Sequence, residues 1–233
     1  MNIQQLFQDL SFGELATLSL ATSGNGVITD AGKEHIIRFA NDGLLRLYSR
    51  FLLKQNDVLI EMVDWITNYH LSSKFAESQA GISTQTHLYI KDLPEEPFSD
   101  DVIKILNVFR EDGELPLNNE ANALSCFTPQ ADVLQVPNPE NGVALSVGYQ
   151  AKHPILTLDD LTQEIELPEV LHGALRDWIA FRAYSQVKTQ EARIAAQDHA
   201  QAYEQACLDV VQNDLVNQTQ SSTNNRFELN GWA

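Results

Sequence analysis

The stretch LPEVLHGALRDWIAFRAY, from Leu167 to Tyr184, decides the fold of this 233-residue chain. Pro168 carries a φ already suited to a first helical turn, and Glu169 puts an acid where a helix N-terminus favours one, so a helix starts here. Leu171, Ala174, Leu175, Trp178, Ile179, Phe181, Arg182 and Tyr184 then recur at spacings of three and four, with Arg176 and Asp177 off the stripe. The stripe reads as a buried helix face. Beyond it Ala192, Ala195, Ala196, His199, Ala200, Tyr203, Ala206, Cys207, Val210 and Val211 keep the same period with mostly small side chains, which let helix backbones approach closely. The break at Gln186 to Gln190 holds neither Gly nor Pro; a helical hairpin is preferred over one long bent helix.

Outward from this pair, the composition narrows the function. Fifteen basic against 32 acidic residues give a formal charge of −17, which argues against a nucleic-acid groove, because phosphate neutralisation needs clustered Lys and Arg. The excess sits in residues 53–165, with six bases against eighteen acids. It reads first as a solvated acidic face, and second as a surface that repels DNA along a passage. Cys126 and Cys207 lie far apart in no ligand spacing, so two free thiols in a reducing compartment are expected. Met1 to Leu10 lacks a basic region followed by an apolar core, and no apolar run approaches roughly 18 residues, so neither a signal peptide nor a membrane span is expected.

Along the chain, Asn2 to Gln8 reads as a short leading turn. Ser11 with Glu14 has the spacing of a capping box and predicts a helix over 12–21. Ser23 to Gly26 reads as a glycine loop. Thr29 or Asp30 caps a long amphipathic helix, carried by Ile36, Ile37, Phe39, Ala40, Leu44, Leu45, Leu47, Tyr48, Phe51 and Leu52, that ends near Lys54. Val58 to Val63 then reads as a strand with Thr67 to Leu71 as its return partner. Val102 to Phe109 and the run to Leu117, across Glu111, Asp112 and Gly113, form one hairpin; Val133 to Val136 and Val143 to Tyr149, across Asn141 and Gly142, form another. Residues 212–225 are polar and predict a flexible linker. Phe227, Leu229 and Trp232 follow it, and the choice there is between incidental aromatics and an arm that docks on a neighbour.

Chemistry-bearing constellations are scarce. The sequence has no Gly-x-Ser-x-Gly, no phosphate-cradling loop and no His-Glu-x-x-His. His35, His70, His87, His153, His172 and His199 stand singly, so no metal site follows from their spacing. His172, one turn into the motif helix, and Arg182, between Phe181 and Tyr184, read as satisfied structural residues. Asp57, Glu61 and Asp64, or Asp92, Glu95 and Glu96, are dense enough in carboxylates to offer a hydrolytic pair, although composition favours solvated acids.

The run from Leu167 to Tyr184 resembles the C-terminal helical motif of tailed-phage head-to-tail adaptors, the connector or tail tubular protein A-like family. That motif is roughly Leu-Pro, an aromatic or apolar residue, His, an Ala-Leu pair, an aromatic three residues on and an Arg-Ala-Tyr ending, followed by an Ala-rich helix. The fold expected is α+β, a helical bundle built from N- and C-terminal helices with a β-rich module inserted between them. Its divisions are 1–56 and 166–212 for the helices, 57–165 for the insertion and 213–233 for a flexible arm. The resemblance implies a structural virion protein, not an enzyme, that forms a ring of twelve copies between the portal protein and a tail nozzle or tail-tube protein. DNA would pass through it without specific binding, with no cofactor, no metal and no membrane, and assembly would take place in the host cytoplasm. Phe227, Leu229 and Trp232 are the partner-binding candidates. The alternative is a phage tail-associated hydrolase, a glycosidase using a carboxylate pair in the β-rich middle; a cytosolic interaction module is a third.

Overall fold

The computed structural model describes residues 1–18, 21–22, 27–85 and 87–216. Asn2 opens the first helix, α1 (Ile3–Phe12), with a capping box: its side chain accepts from the Gln5 amide at 2.8 Å, and the Gln5 side chain accepts from the Asn2 amide at 2.9 Å. The helix expected over 12–21 is therefore displaced toward the N-terminus. The Ser11 hydroxyl donates to the Gln8 carbonyl within α1 instead of capping, and residues 13–18 are turns. Two short paired strands, β1 (Ala21–Thr22) and β2 (Val27–Ile28), flank the glycine loop, whose residues 23–26 lie outside the described ones.

The long helix α2 (Asp30–Arg50) starts as its sequence dictates, with the Thr29 hydroxyl accepting from the Gly32 amide at 3.1 Å. At the other end of the chain, α3 (His172–Tyr184) and α4 (Gln190–Gln212) form the hairpin, α4 being capped by Thr189. All thirteen residues of α3 are buried or half-buried. It lies between α2 and α4, and the close approach to α2 depends on Gly43, where a Cβ would come within 2.7 Å of Trp178 Cδ1 and 2.9 Å of Leu175 Cδ1.

These helices are not a helical bundle in the expected sense; among the described residues the chain has four α-helices toward its two ends with antiparallel sheets between. The physical reason is that α1 spans only ten residues and leaves part of the apolar face to other cover. Leu156, Ile165 and Leu167, on the irregular segment between the sheets and α3, fill that role in the same core as Ile3, Leu44 and Leu175. Backbone bonds from Ile3 to Gln163 and from Ile165 to Met1 hold the segment against α1.

The middle forms a five-stranded and a three-stranded antiparallel sheet over a second core, which includes Ile60, Tyr69, Val108, Leu134, Leu145 and Val147. The five-stranded sheet contains β3 (Gln55–Glu61), β5 (Ile90–Lys91), β6 (Val102–Arg110), β7 (Gly113–Leu115) and β10 (Ala144–Ala151), in the order β5-β3-β10-β6-β7. The smaller sheet contains β4 (Asn68–His70), β8 (Phe127–Gln130) and β9 (Val133–Gln135), in the order β4-β9-β8. The hairpin of β6 and β7 is as expected, with Gly113 at φ 132° in its turn. The other two expected pairings are corrected: β4 pairs with β9 rather than returning along β3, and β9 and β10 part into different sheets. Burial explains both. β10 is buried along most of its length and takes the central place between β3 and β6, whereas Tyr69 and Leu134, paired and fully buried, tie β4 to β9.

Gly43→Val tests the helix contact. We expect a loss of about 1–3 kcal/mol from overpacking, read as a lower urea midpoint in equilibrium unfolding. An unchanged midpoint would show that α2 and α3 have room to spare.

Candidate interaction site

Arg182 does what its flanking aromatics imply. Its Nη1 lies 2.6 Å from Asp42 Oδ2, which also accepts from Trp178 Nε1 at 3.2 Å. The Arg46 guanidinium sits 4.2 Å over the Trp178 ring, and Arg182 lies 5.5 Å over Phe39. This cluster joins α2 to α3. His172 likewise is used locally, its Nε2 lying 3.0 Å from the Leu167 carbonyl. Tyr184, at the end of the motif, stacks on His199 and bonds Thr17 and the Glu14 carbonyl, and His199 pairs with Asp177 at 2.9 Å.

His153 was not singled out by the sequence, yet it is the buried one. Its Nε2 accepts from the Glu166 amide at 2.9 Å and its Nδ1 faces the Pro154 carbonyl, which fixes a neutral ring with the proton on Nδ1. Burial lowers its pKa below the ordinary histidine value, outweighing the opposing pull of the Pro154 carbonyl and Glu166. Tyr48 meets the same ring edge-on, and its hydroxyl donates to the Glu166 carbonyl.

Of the carboxylates offered for a hydrolytic pair, Glu61 and Asp92 are engaged in local structure, while Asp57 and Glu96 line a cleft. Glu61 is paired with Lys91 at 2.8 Å, and Lys91 also meets Glu77. Asp92 accepts from the Ser78 amide at 2.8 Å, the Ser78 hydroxyl at 2.6 Å and the Phe98 amide at 2.9 Å. Burial would raise the Asp92 pKa, but those donated bonds prevail and hold it below the usual carboxylate range, the wrong direction for a general acid. Among the described residues no group of three His, Cys, Asp or Glu side chains could hold a metal ion, and no helix is long and apolar enough to cross a membrane.

A cleft of about 470 Å³ lies between the first half of β3 and the loop of residues 92–99, with Tyr149 and Phe98 among its walls. Leu59 and Leu93 line it at 43% and 63% exposure. These apolar residues are invisible as a site in the sequence, because the alternation that puts Leu59 outward is shared by any half-buried strand.

Against this geometry, the chain matches the family described as SU10 adaptor protein over residues 10–226. The chain belongs to the SU10 adaptor protein family. Membership makes it a phage structural adaptor and a virion component, and implies contacts with portal and tail components; the family is not known as enzymatic. No curated protein matches the chain. For this SU10 adaptor family member, the partner-binding candidates Phe227, Leu229 and Trp232 lie outside the described residues and beyond the matched span.

His153 gives a pH dependence of known sign. Its folded pKa is lowered, so its contribution to stability is present in full above the ordinary value of about 6.5 and is lost as pH falls from there through the lowered folded value. We expect thermal midpoints to drop more between pH 7 and pH 5 for the parent than for His153→Gln. Parallel curves would mean that His153 is not buried neutral.

Proposed function

We propose that this protein is a head-to-tail adaptor that assembles as a ring of twelve copies between the portal and the tail nozzle or tail tube of a tailed phage. It acts through interfaces alone, without catalysis or cofactor, and DNA passes through the ring without specific binding. The observation that carries this reading is the family match across residues 10–226. The charge of −17 supports it, since an acidic lining does not hold phosphates. So does the engagement of Glu61 and Asp92 in local structure.

In this reading the divisions are the helical parts, 1–56 and 166–212, and the β-rich insertion, 57–165, whose last segment with Leu156 and Ile165 packs on the helical core, and the segment from 213 onward is an arm. Phe227, Leu229 and Trp232 are its anchors on a partner, large apolar groups on an otherwise polar tether. Assembly takes place in the host cytoplasm before the particle is complete.

Sedimentation of the purified protein with its cognate portal ring, as the full chain and truncated after Asn225, tests this. We expect the full chain to move with the ring and the truncation to lose at least tenfold in affinity. A full chain that stays monomeric and apart from the ring at micromolar concentration would contradict the adaptor assignment.

A further inference from the structure

The cleft beside β3 exposes a sheet edge at Asp57. Even-numbered residues of β3 and its flanks bond inward to β10: Ala151 donates to the Lys54 carbonyl at 3.0 Å and Met62 donates to the Val143 carbonyl at 2.8 Å. Odd-numbered residues turn the other way, as the Glu61 amide does in donating to the Tyr89 carbonyl at 2.8 Å. On that side β5 pairs with only Leu59 and Ile60, opposite Lys91 and Ile90. At Asp57, one ladder step further, no strand lies against β3 among the described residues.

The reason is local. Once past Lys91 the chain is pulled off the sheet by the bonds Asp92 makes to Ser78 and Phe98, and the loop of residues 92–99 stands away, leaving the cleft of about 470 Å³. Exposed strand edges template the addition of another strand. This one offers the backbone of Asp57 in the middle, Leu59 and Leu93 as apolar contacts, and the acidic Asp57 and Glu96 at the rim.

We propose that this edge receives residues Arg226 to Asn230 of a second copy as an added strand. The inference rests on the ring and arm of the preceding reading. Arg226, Phe227, Glu228, Leu229 and Asn230 alternate polar and apolar, the period of a half-buried strand. Phe227 and Leu229 would then share the face that meets Leu59 and Leu93. Arg226, the one cation among residues 217–233, suits a rim carrying Asp57 and Glu96. Ten residues separate Val216 from Phe227, a tether that reaches about 35 Å when extended, enough to cross to a neighbour. Each copy gives an arm and receives one, a head-to-tail contact that a ring closes.

A fluorescent peptide of residues 223–233 titrated onto the chain truncated after Asn225 tests the edge. Saturable binding is expected, lost when the peptide carries Phe227→Asp with Leu229→Asp. On the receptor, Asp57→Pro removes the outward N–H while sparing the inward ladder, and should weaken binding at least tenfold with an unchanged circular dichroism spectrum. Leu93→Glu, at an exposed position that does not hold the fold, should weaken it as well. No binding by the parent, or binding to Leu93→Glu and a folded Asp57→Pro as tight as to the parent, would overturn the proposal.

In the full chain, Asp57→Cys with Leu229→Cys should give disulfide-linked multimers on oxidation, whereas a purely intramolecular bond would overturn the second-copy assignment. Portal sedimentation of full-length Asp57→Pro separates this inference from the one beneath it. If that variant and the parent both bind the portal while the peptide shows no edge binding, the adaptor reading stands and the strand addition falls. If the parent fails on the portal, the adaptor reading falls by itself.

Discussion

The contact of α2 with α3 at Gly43 is the constraint on which the rest of the structure depends. Trp178 and Leu175 fill the space that a side chain at Gly43 would take, and Asp42 beside it ties down both Trp178 and Arg182. With α3 pressed so closely on α2, its other flank accepts α4, whose small Ala192 and Ala196 are buried and whose larger Tyr203 and Cys207 join the shared core. The remaining face is closed by α1 and by the segment carrying Leu156 and Ile165. That segment is in turn fixed by neutral His153 and by Tyr48 reaching the Glu166 backbone. The β-rich middle hangs from the same place. Gln150, buried in β10, donates to the carbonyls of Tyr48 and Phe51 at the end of α2, so the two sheets leave and rejoin the helical part next to one another.

Much of this was legible because it is local. Thr29 caps α2, Thr189 caps α4, and the three- and four-residue spacing of the motif marks α3 as buried, all from neighbours within a turn or two. The first helix was misread because two capping boxes compete within fourteen residues, Asn2 with Gln5 and Ser11 with Glu14, and tertiary packing of Ile3, Leu6 and Leu10 selects the first. The expected bundle failed for a related reason: apolar periodicity shows that a face is buried but not whether a helix or an irregular segment covers it. Two of the three expected strand pairings failed because alternation assigns faces, not neighbours. Tyr69 opposite Leu134 is a pairing across more than sixty residues that no local pattern encodes.

The candidate site shows the same division. The arm residues Phe227, Leu229 and Trp232 stand out in the sequence as apolar groups on a polar tether, whereas the receptor cleft depends on where β5 stops pairing, a property of the assembled sheet. Two of the carboxylates that look like chemistry, Glu61 and Asp92, serve local structure. Asp92 directs the loop that opens the cleft, and Glu61 and Glu77 hold Lys91 at its lip. For a member of an adaptor family this is coherent: charge shapes an edge, and exposed apolar groups and backbone are left for the proposed contact.

Hydrogen–deuterium exchange, compared between the free protein and the proposed ring, tests the central claim most directly. The account predicts that α3 is among the slowest-exchanging segments already in the free chain and changes little on assembly, while new protection appears at Asn56 to Leu59 and in residues 92–99. Rapid exchange throughout α3 in the free protein, or protection on assembly that leaves the β3 edge untouched, would contradict it.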